Sequence, residues 1–295
     1  MNDLLPFREP ELHDASSVQR CAYQSLQSDL SFTNLYLLRH KYHTELVFHM
    51  EHLIRHFDSD RLSGYSFPVG GKQEHLMDCF KAIEADAKAR NRALNYCLLT
   101  EEQAKILHQY YGDRIHFQNN SGDADYLYQR VQLSQLAGTA FHKKRTHLSK
   151  FHRLYPDATF EILNELNKKD ALTITEGWLH SQENTPALLH EYKAICTALE
   201  NMELLNLSGA IVYINRHPVC YCIASRMNEL VTDIHYEKAL PEYRDAYVYI
   251  NQMFASHADT EWLNREEDLN VPGLRQAKLS YHPSLILSKL SASIC

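Results

Sequence analysis

The chain has 295 residues, 44% hydrophobic and 23% charged, with nine Gly and nine Pro; this argues against disorder and provides core material for two domains or one large one. A formal net charge of −7 argues against a general nucleic-acid binder but leaves room for one local basic face. Seven scattered Cys, with no Cys-x-x-Cys, suggest neither a disulfide framework nor a zinc ribbon and fit a reducing cytoplasm. The run Met1–Pro6 lacks the basic and apolar regions of a signal peptide, and no apolar run is long enough to span a bilayer. A cytoplasmic protein without a transmembrane segment is expected.

In chain order, residues 12–40 mix short apolar spacings with Ser and Asp and read as leading helices, with Asp29 and Thr33 as candidate starts. Thr44–Phe57 alternates apolar residues with His and acids, and Ser63–Gly71 follows it, so paired antiparallel strands are expected, with their histidines on a solvated face. Lys72–Asn91 carries Met77, Phe80, Ile83 and Ala87 in helical step, and Leu94–Leu99 reads as a strand. Thr100 with Gln103 three residues on predicts a capped helix through Tyr110; Arg114–Gln118 is a strand closed by the turn Asn119–Gly122.

Tyr126–Pro156 contains no acidic residue, while Arg130, Lys143, Lys144, Arg145, Lys150 and Arg153 accumulate with three histidines. Leu133, Leu136, Ala140, Leu148, Phe151 and Tyr155 recur at helical spacing. One long basic helix, at about 131–155, is expected to join a domain of residues 1–137 to one of residues 138–295. A solvated face is the ordinary fate of such a run; attraction of phosphates is the functional alternative.

Beyond Pro156, Thr159–Leu163 reads as a strand, Asp170–His180 as a short helix, and Thr185-Pro186 opens a helix with apolar positions through Leu207. Ala210–Ile214 and Val219–Ala224 flank a four-residue connection, Asn215–Pro218, and Leu230–Tyr236 adds a third strand to an antiparallel meander. Glu242–Ala255 is helical and leads to a strand around Trp262. Both halves therefore follow the order strands, helix, strand, helix, which gives a mixed α/β class with two similar domains in tandem.

Near the carboxy terminus, Asp268–Gly273 reads as a turn and Leu274 opens a helix. On it Arg275, Lys278 and His282 share a face opposite an acidic loop, with Leu274, Ala277 and Tyr281 on a neighbouring, partly buried stripe. Such a row can fix an anion or a zwitterion, or form a self-satisfied surface network. Asp233–Lys238 brings ionisable groups to a strand end where a sheet opens. Cys220 and Cys222 share one strand face and fit core packing. No His-Glu-x-x-His, Gly-x-Gly-x-x-Gly, P-loop or Gly-x-Ser-x-Gly occurs, and no metal site is predicted.

Read together, Phe141–Phe151, His235–Ala239, Asn264–Leu269 and Gly273–Pro283 resemble the stand-alone bacterial family related to the phosphatidylglycerol lysyltransferase carboxy-terminal domain, a likeness spanning most of the chain. The resemblance implies two tandem acetyltransferase-like (GNAT-like) domains, each a mixed, largely antiparallel sheet flanked by helices. It also implies acyl transfer from aminoacyl-tRNA to an amine or hydroxyl on a small-molecule, peptide or lipid-headgroup acceptor. Under it, Lys143, Lys144, Arg145 and Lys150, beside His142, neutralise donor phosphates. Glu237 and Asp268 hold or deprotonate an amine, and Arg275 with Lys278 steadies an oxyanion or another anion. Lys238, Asn264, Arg265, Glu266, Ser280 and Tyr281 complete the implied substrate-binding set. Attack on an already activated ester requires no covalent nucleophile.

Three departures bear on the transfer. Asn270 stands where the family usually has Gly, a replacement that tolerates a left-handed backbone. Asp245 stands where many members have Gly, and the flippase region of true phosphatidylglycerol lysyltransferases is not present, which weakens the expectation of a lipid acceptor. No acetyl-coenzyme-A pyrophosphate loop is found, so acetyl-coenzyme A or another acyl-coenzyme A is the runner-up donor. A non-catalytic module binding RNA or anionic lipid is a third reading.

Overall fold

The computed structural model describes residues 4–295; Met1, Asn2 and Asp3, the start of the amino-terminal run read above, lie outside the described residues. The chain divides into two compact units. One runs to Asp125 and takes in Glu267–Pro272 and Ile286–Cys295; the other comprises Tyr126–Glu266 and Gly273–Leu285. The expected boundary at 137/138 thus shifts to 125/126, and the carboxy terminus belongs with the first unit. Among the described residues no helix is long and apolar enough to cross a membrane.

The first unit opens with α1 (Ala15–Cys21), α2 (Phe32–Leu37) and α3 (Arg39–Tyr42). Its strands are β1 (Glu45–His49), β2 (His52–Asp58), β3 (Ser63–Ser66), β4 (Asn95–Leu99), β5 (Ile115–Asn119) and the carboxy-terminal β13 (Leu290–Ile294), in the order β1-β2-β3-β4-β13-β5. β3 and β4 run parallel, and the other neighbours antiparallel. The last strand leaves the second half because both of its edges pair here, on β4 and on β5. α4 (Leu76–Ala89) and α5 (Glu101–Tyr111) bring Phe80, Ile83, Leu107 and Tyr111 into one core with Tyr96 and Leu99 of β4. The predicted capping box is formed: Gln103 N donates to Thr100 Oγ1 at 3.2 Å, and Thr100 N to Gln103 Oε1 at 3.0 Å.

The histidines of β2 depart from the expectation of a solvated face. His52 and His56 are buried, because β2 is flanked by β1 and β3 and covered along its length. The His56 ring meets Tyr65 edge-on at 4.8 Å, and burial pushes its pKa down to about 4.

The second sheet runs β12-β6-β11-β10-β9-β8-β7, from β6 (Asp125–Gln129), β7 (Thr159–Ile162), β8 (Leu207–Ile214), β9 (His217–Arg226), β10 (Val231–Ala239), β11 (Trp262–Asn264) and β12 (Leu285–Leu287). β10 and β11 are parallel; the meander β8-β9-β10 is antiparallel, as expected. Its first turn is tighter than predicted: Asn215 and Arg216 alone connect β8 to β9, both at positive φ, the backbone that matches strand twist in two-residue hairpins.

The single basic helix is not formed. Residues 126–129 extend β6, and α6 (Arg130–Gln135) is separate from α7 (His142–Leu154), with Leu136 left-handed at φ 48° between them. α8 (Lys168–Leu179) and α9 (Pro186–Glu200) follow, the latter ending at Glu200 rather than Leu207. α10 (Ala246–His257) packs Ala246, Ile250 and Phe254 into a core with Phe151 of α7 and with Val212, Cys220 and Cys222 of the meander. Around α11 (Pro272–Leu279) the predicted stripe holds only at Tyr281, which is buried; Leu274 and Ala277 are exposed, and Lys278 of the predicted cationic face is buried instead.

Candidate active site

The site grows from the parallel contact of β10 and β11 in the second unit. Asp233 pairs with Asn264, so the chain leaving β11, Arg265-Glu266, runs beside the second half of β10. There the register of β10 on β9 slips between Ile234 and Tyr236, leaving His235 as the extra residue of a bulge, the device by which a sheet re-aims a side chain. His235 Nδ1 lies 2.8 Å from Glu266 Oε1, and its Nε2 lies 2.8 Å from Ser225 Oγ. Both ring nitrogens are thus engaged, in a relay Ser225–His235–Glu266.

Asp233, His235 and Glu266 also bring one ligand atom each within 4.8 Å of one another. These three are the residues that would hold a cation, at the cost of the 2.8 Å contact between His235 and Glu266. No sequence motif signals the cluster, because its members come from a bulge and a post-strand turn.

Two residues further along β10, Glu237 receives two donors. Arg265 Nη2 donates to Oε2, and Asn251 Nδ2 of α10 donates to Oε1 at 2.7 Å. The Arg265 guanidinium lies 4.9 Å from the ring centroid of Tyr281 and 5.8 Å from that of Tyr128. Its Nε and Nη1 are buried and have no acceptor among the described residues. A buried donor without an acceptor is costly, about 1–3 kcal/mol, so this arginine is held short of satisfaction by a surround that fixes only one of its nitrogens.

Lys144, on α7, completes the cluster. Its ammonium lies 3.5 Å from the Tyr281 ring centroid and donates to Ser280 Oγ at 2.7 Å. Burial, and then the nearby Arg265 charge, lower its pKa to about 8. A lysine in that range exchanges protons near neutrality, which an ordinary surface lysine does not.

The remaining predicted residues separate from this cluster. Lys278 Nζ donates to the carbonyls of Arg265 and Glu266, so it braces the turn that presents them rather than standing in a cationic row. Asn264 is fully buried, and its Oδ1 accepts from Glu266 N at 2.7 Å, shaping the same turn. Arg275 is half-buried on α11. Lys238 points to α8 and α9, with Nζ 2.9 Å from Glu191 Oε1 and 3.9 Å from the Trp178 ring centroid. Asp268 belongs to the first unit, fully buried, where its Oδ1 accepts from Asn270 N at 2.8 Å. Asn270 takes φ 60° there, the conformation for which the family's glycine is suited.

The basic ridge is partly spent internally. Arg145 Nη1 donates to the carbonyls of Leu136 and Gly138, both at 2.6 Å, closing the break between α6 and α7. Asp245 takes Lys150 Nζ at 2.6 Å and His147 Nδ1 at 2.8 Å. His142 and Lys143 are exposed.

Residues 20–291 match the family described as phosphatidylglycerol lysyltransferase, C-terminal, and the chain belongs to that family. A crystal structure of a conserved protein of unknown function from Bacteroides thetaiotaomicron is 29% identical, with a TM-score of 0.93 over 99% of this chain and 100% of that one. L-PGS from Bacillus licheniformis shares the fold at 13% identity, with a TM-score of 0.67 over 97% and 93% of the two chains. Among curated proteins, an uncharacterised protein of Mycoplasmoides gallisepticum is 26% identical over 178 residues, 58% of this chain and 56% of that protein, so the match spans little more than half the relative's length. The mixed α/β architecture expected from the sequence, two largely antiparallel sheets flanked by helices, is the fold of this chain.

Proposed function

From that family membership we propose that the protein transfers an aminoacyl group from aminoacyl-tRNA to a hydroxyl or amine acceptor, in the cytoplasm where the donor is made. The observation that carries the reading is the pair Lys144 and Arg265 on the Tyr281 ring, one with a proton-accepting nitrogen in reach of neutrality and the other with two buried N–H groups lacking acceptors.

The reaction is written on those groups. The acceptor oxygen or nitrogen attacks the ester carbonyl carbon while Lys144, neutral, takes its proton. The oxyanion that forms is held by Arg265 Nε and Nη1, donors fixed in advance by Glu237 and the tyrosine rings. Collapse expels the tRNA 3′ oxygen, which receives the proton back from Lys144. Glu237 is then a positioning residue for Arg265, and Lys278, Asn264 and Glu266 position the turn. The exposed His142 and Lys143, with Lys150, would meet donor phosphates. The family's own description names lysyl transfer to phosphatidylglycerol, which supports a hydroxyl acceptor.

The test is parallel binding of charged tRNA, uncharged tRNA and acetyl-coenzyme A at two salt concentrations, followed by transfer to hydroxyl and amine acceptors. Salt-sensitive tRNA binding, lost in Lys143→Glu/Lys150→Glu, with transfer to one acceptor class is the expected result. Saturable acetyl-coenzyme A binding without tRNA binding would overturn it in favour of coenzyme-A-dependent acyl transfer.

A further inference from the structure

The cluster Asp233, His235 and Glu266 takes no part in the proton transfer proposed above, where Glu266 acts only through the turn it belongs to. Asp233 and His235 lie two residues apart on β10, and Glu266 follows β11 in the turn whose backbone Asn264 Oδ1 holds. The Asp233 and His235 side chains are 0% exposed and that of Glu266 is 17% exposed. The set therefore mixes an imidazole with two carboxylates inside the second unit, and its one partly open side is at Glu266.

The spacing leaves room for an ion. A divalent first-row cation sits about 2.0–2.2 Å from an imidazole nitrogen or a carboxylate oxygen, so neighbouring ligands around it stand about 3.0–3.4 Å apart in octahedral or tetrahedral geometry. His235 Nδ1 is 2.8 Å from Glu266 Oε1 and 3.7 Å from Asp233 Oδ2, on either side of that spacing. All three ligand atoms lie within 4.8 Å of one another, so side-chain rotations of about 1 Å bring them onto one ion. The far side of the ring is arranged for the same purpose. Ser225 Oγ stands 2.8 Å from Nε2; with Nδ1 on a metal, the proton of the neutral ring moves to Nε2 and is donated to that oxygen, the outer contact that fixes the tautomer and plane of a ligating histidine. The Nδ1–Oε1 contact is exchanged for a bond from each atom to the ion. Across the turn, Arg265 is paired with Glu237, and Lys278 Nζ donates to the carbonyls of Arg265 and Glu266. Of these neighbours Lys278 alone offsets the two carboxylates, which leaves a negative charge for a cation to meet.

We propose that Asp233, His235 and Glu266 bind one divalent transition-metal ion, Zn²⁺ ahead of Mn²⁺, which ties the β10 bulge to the turn that carries Arg265. The imidazole ligand and the general order of divalent affinities put Zn²⁺ above Mn²⁺, and Mg²⁺, which prefers oxygen ligands and dehydrates reluctantly, binds far more weakly. The inference stands on the geometry of the second unit and does not depend on the transfer reading.

The test is isothermal titration of the full-length protein, first stripped with a chelator, with ZnCl₂, MnCl₂ and MgCl₂ separately. One Zn²⁺ per chain is expected at a Kd of about 1 μM or tighter, with Mn²⁺ weaker and Mg²⁺ weaker by at least about 100-fold. His235→Asn removes the imidazole ligand, and Glu266→Gln removes one carboxylate charge while keeping its shape; each is expected to weaken Zn²⁺ by at least about tenfold. Thermal unfolding gives a second readout: wild type is expected to melt about 5 °C higher at about 100 times the Kd, and the variants are expected to lose that shift. If His235→Asn does not fold, as judged by circular dichroism, Glu266→Gln decides. No Zn²⁺ binding tighter than about 100 μM, Mg²⁺ binding as tight as Zn²⁺, or Zn²⁺ binding unchanged in the folded variants, which would place the ion on other histidines, would overturn the proposal.

Discussion

Replacing Lys289 with Met removes the cation at the centre of the first unit's buried charge network while leaving a side chain of similar length. Two carboxylates lose a partner within 3 Å: Asp125, fully buried, and Asp29, 13% exposed. Removing one member of a buried ion pair costs about 3–5 kcal/mol, mostly as the penalty of the charge left behind. Here the loss belongs near the lower end, about 3 kcal/mol, because Asp125 still accepts from Ser28 N at 2.8 Å and Ser28 Oγ at 2.6 Å, and Asp29 keeps Arg55. The pH dependence has a definite sign. Burial opposes ionisation of Asp29, but Lys289 and Arg55 outweigh it and hold its pKa below the usual value. Such a group contributes stability above its unfolded pKa, about 4, and loses it as pH falls through the folded value. The difference between wild type and Lys289→Met is therefore largest at neutral pH and shrinks in acid, where the stranded carboxylates take up protons. Urea unfolding followed by circular dichroism at about pH 7 and about pH 4 measures both quantities. A loss under about 1 kcal/mol at neutral pH, or a loss that grows in acid, would refute the reasoning.

Two other substitutions test separate parts of the structure. Asp245→Asn releases Lys150 and His147 from their shared carboxylate; tRNA affinity measured by filter binding is expected to rise a few-fold, with a salt dependence steeper by about one charge. Gly64→Ala places a Cβ 2.7 Å from the Asn95 carbonyl oxygen at φ +135°, where neither strand backbone can yield; thermal unfolding is expected to show a loss of about 3 kcal/mol.

Element order, the α5 cap and the meander were legible because each rests on local periodicity or on a cap residue at a fixed offset. What escaped was set by long-range pairing. β6 escaped because Tyr126–Gln129 reads only as the start of the acid-free run, three apolar residues that fit either period, and its partner β11 lies more than a hundred residues away. The carboxy-terminal β13 carries too short a signal to announce that it fills the gap between β4 and β5. The buried histidines of β2 escaped for the converse reason: a polar residue on a strand reads as solvent-facing unless both faces are known to be covered.

In the site, the residue types were readable and their tasks were not. The sequence placed Arg265, Lys144, Ser280 and Tyr281 in the binding set and Glu237 among the catalytic residues, and the fold brings these five together. Lys278, assigned to an anion by helical spacing, serves carbonyls instead, since α11 turns that position inward. Ser225 and the His235 bulge were missed, because a register slip leaves no mark in a single sequence.

Lys144 is the group on which the proposed proton transfer depends most directly. Single-turnover transfer from labelled aminoacyl-tRNA to a hydroxyl acceptor, followed from about pH 6 to about pH 10 with the uncatalysed ester hydrolysis subtracted, reads its protonation without interference from the acceptor. The rate is predicted to rise about tenfold per pH unit and to level near the Lys144 pKa of about 8, while Lys144→Met loses the rise and at least about 100-fold in rate. Because burial places the Lys144 charge at a disadvantage, this variant is expected to unfold at no lower temperature than wild type, which separates chemistry from folding. A flat profile through pH 8, or a Lys144→Met enzyme within about threefold of wild type, would contradict the account.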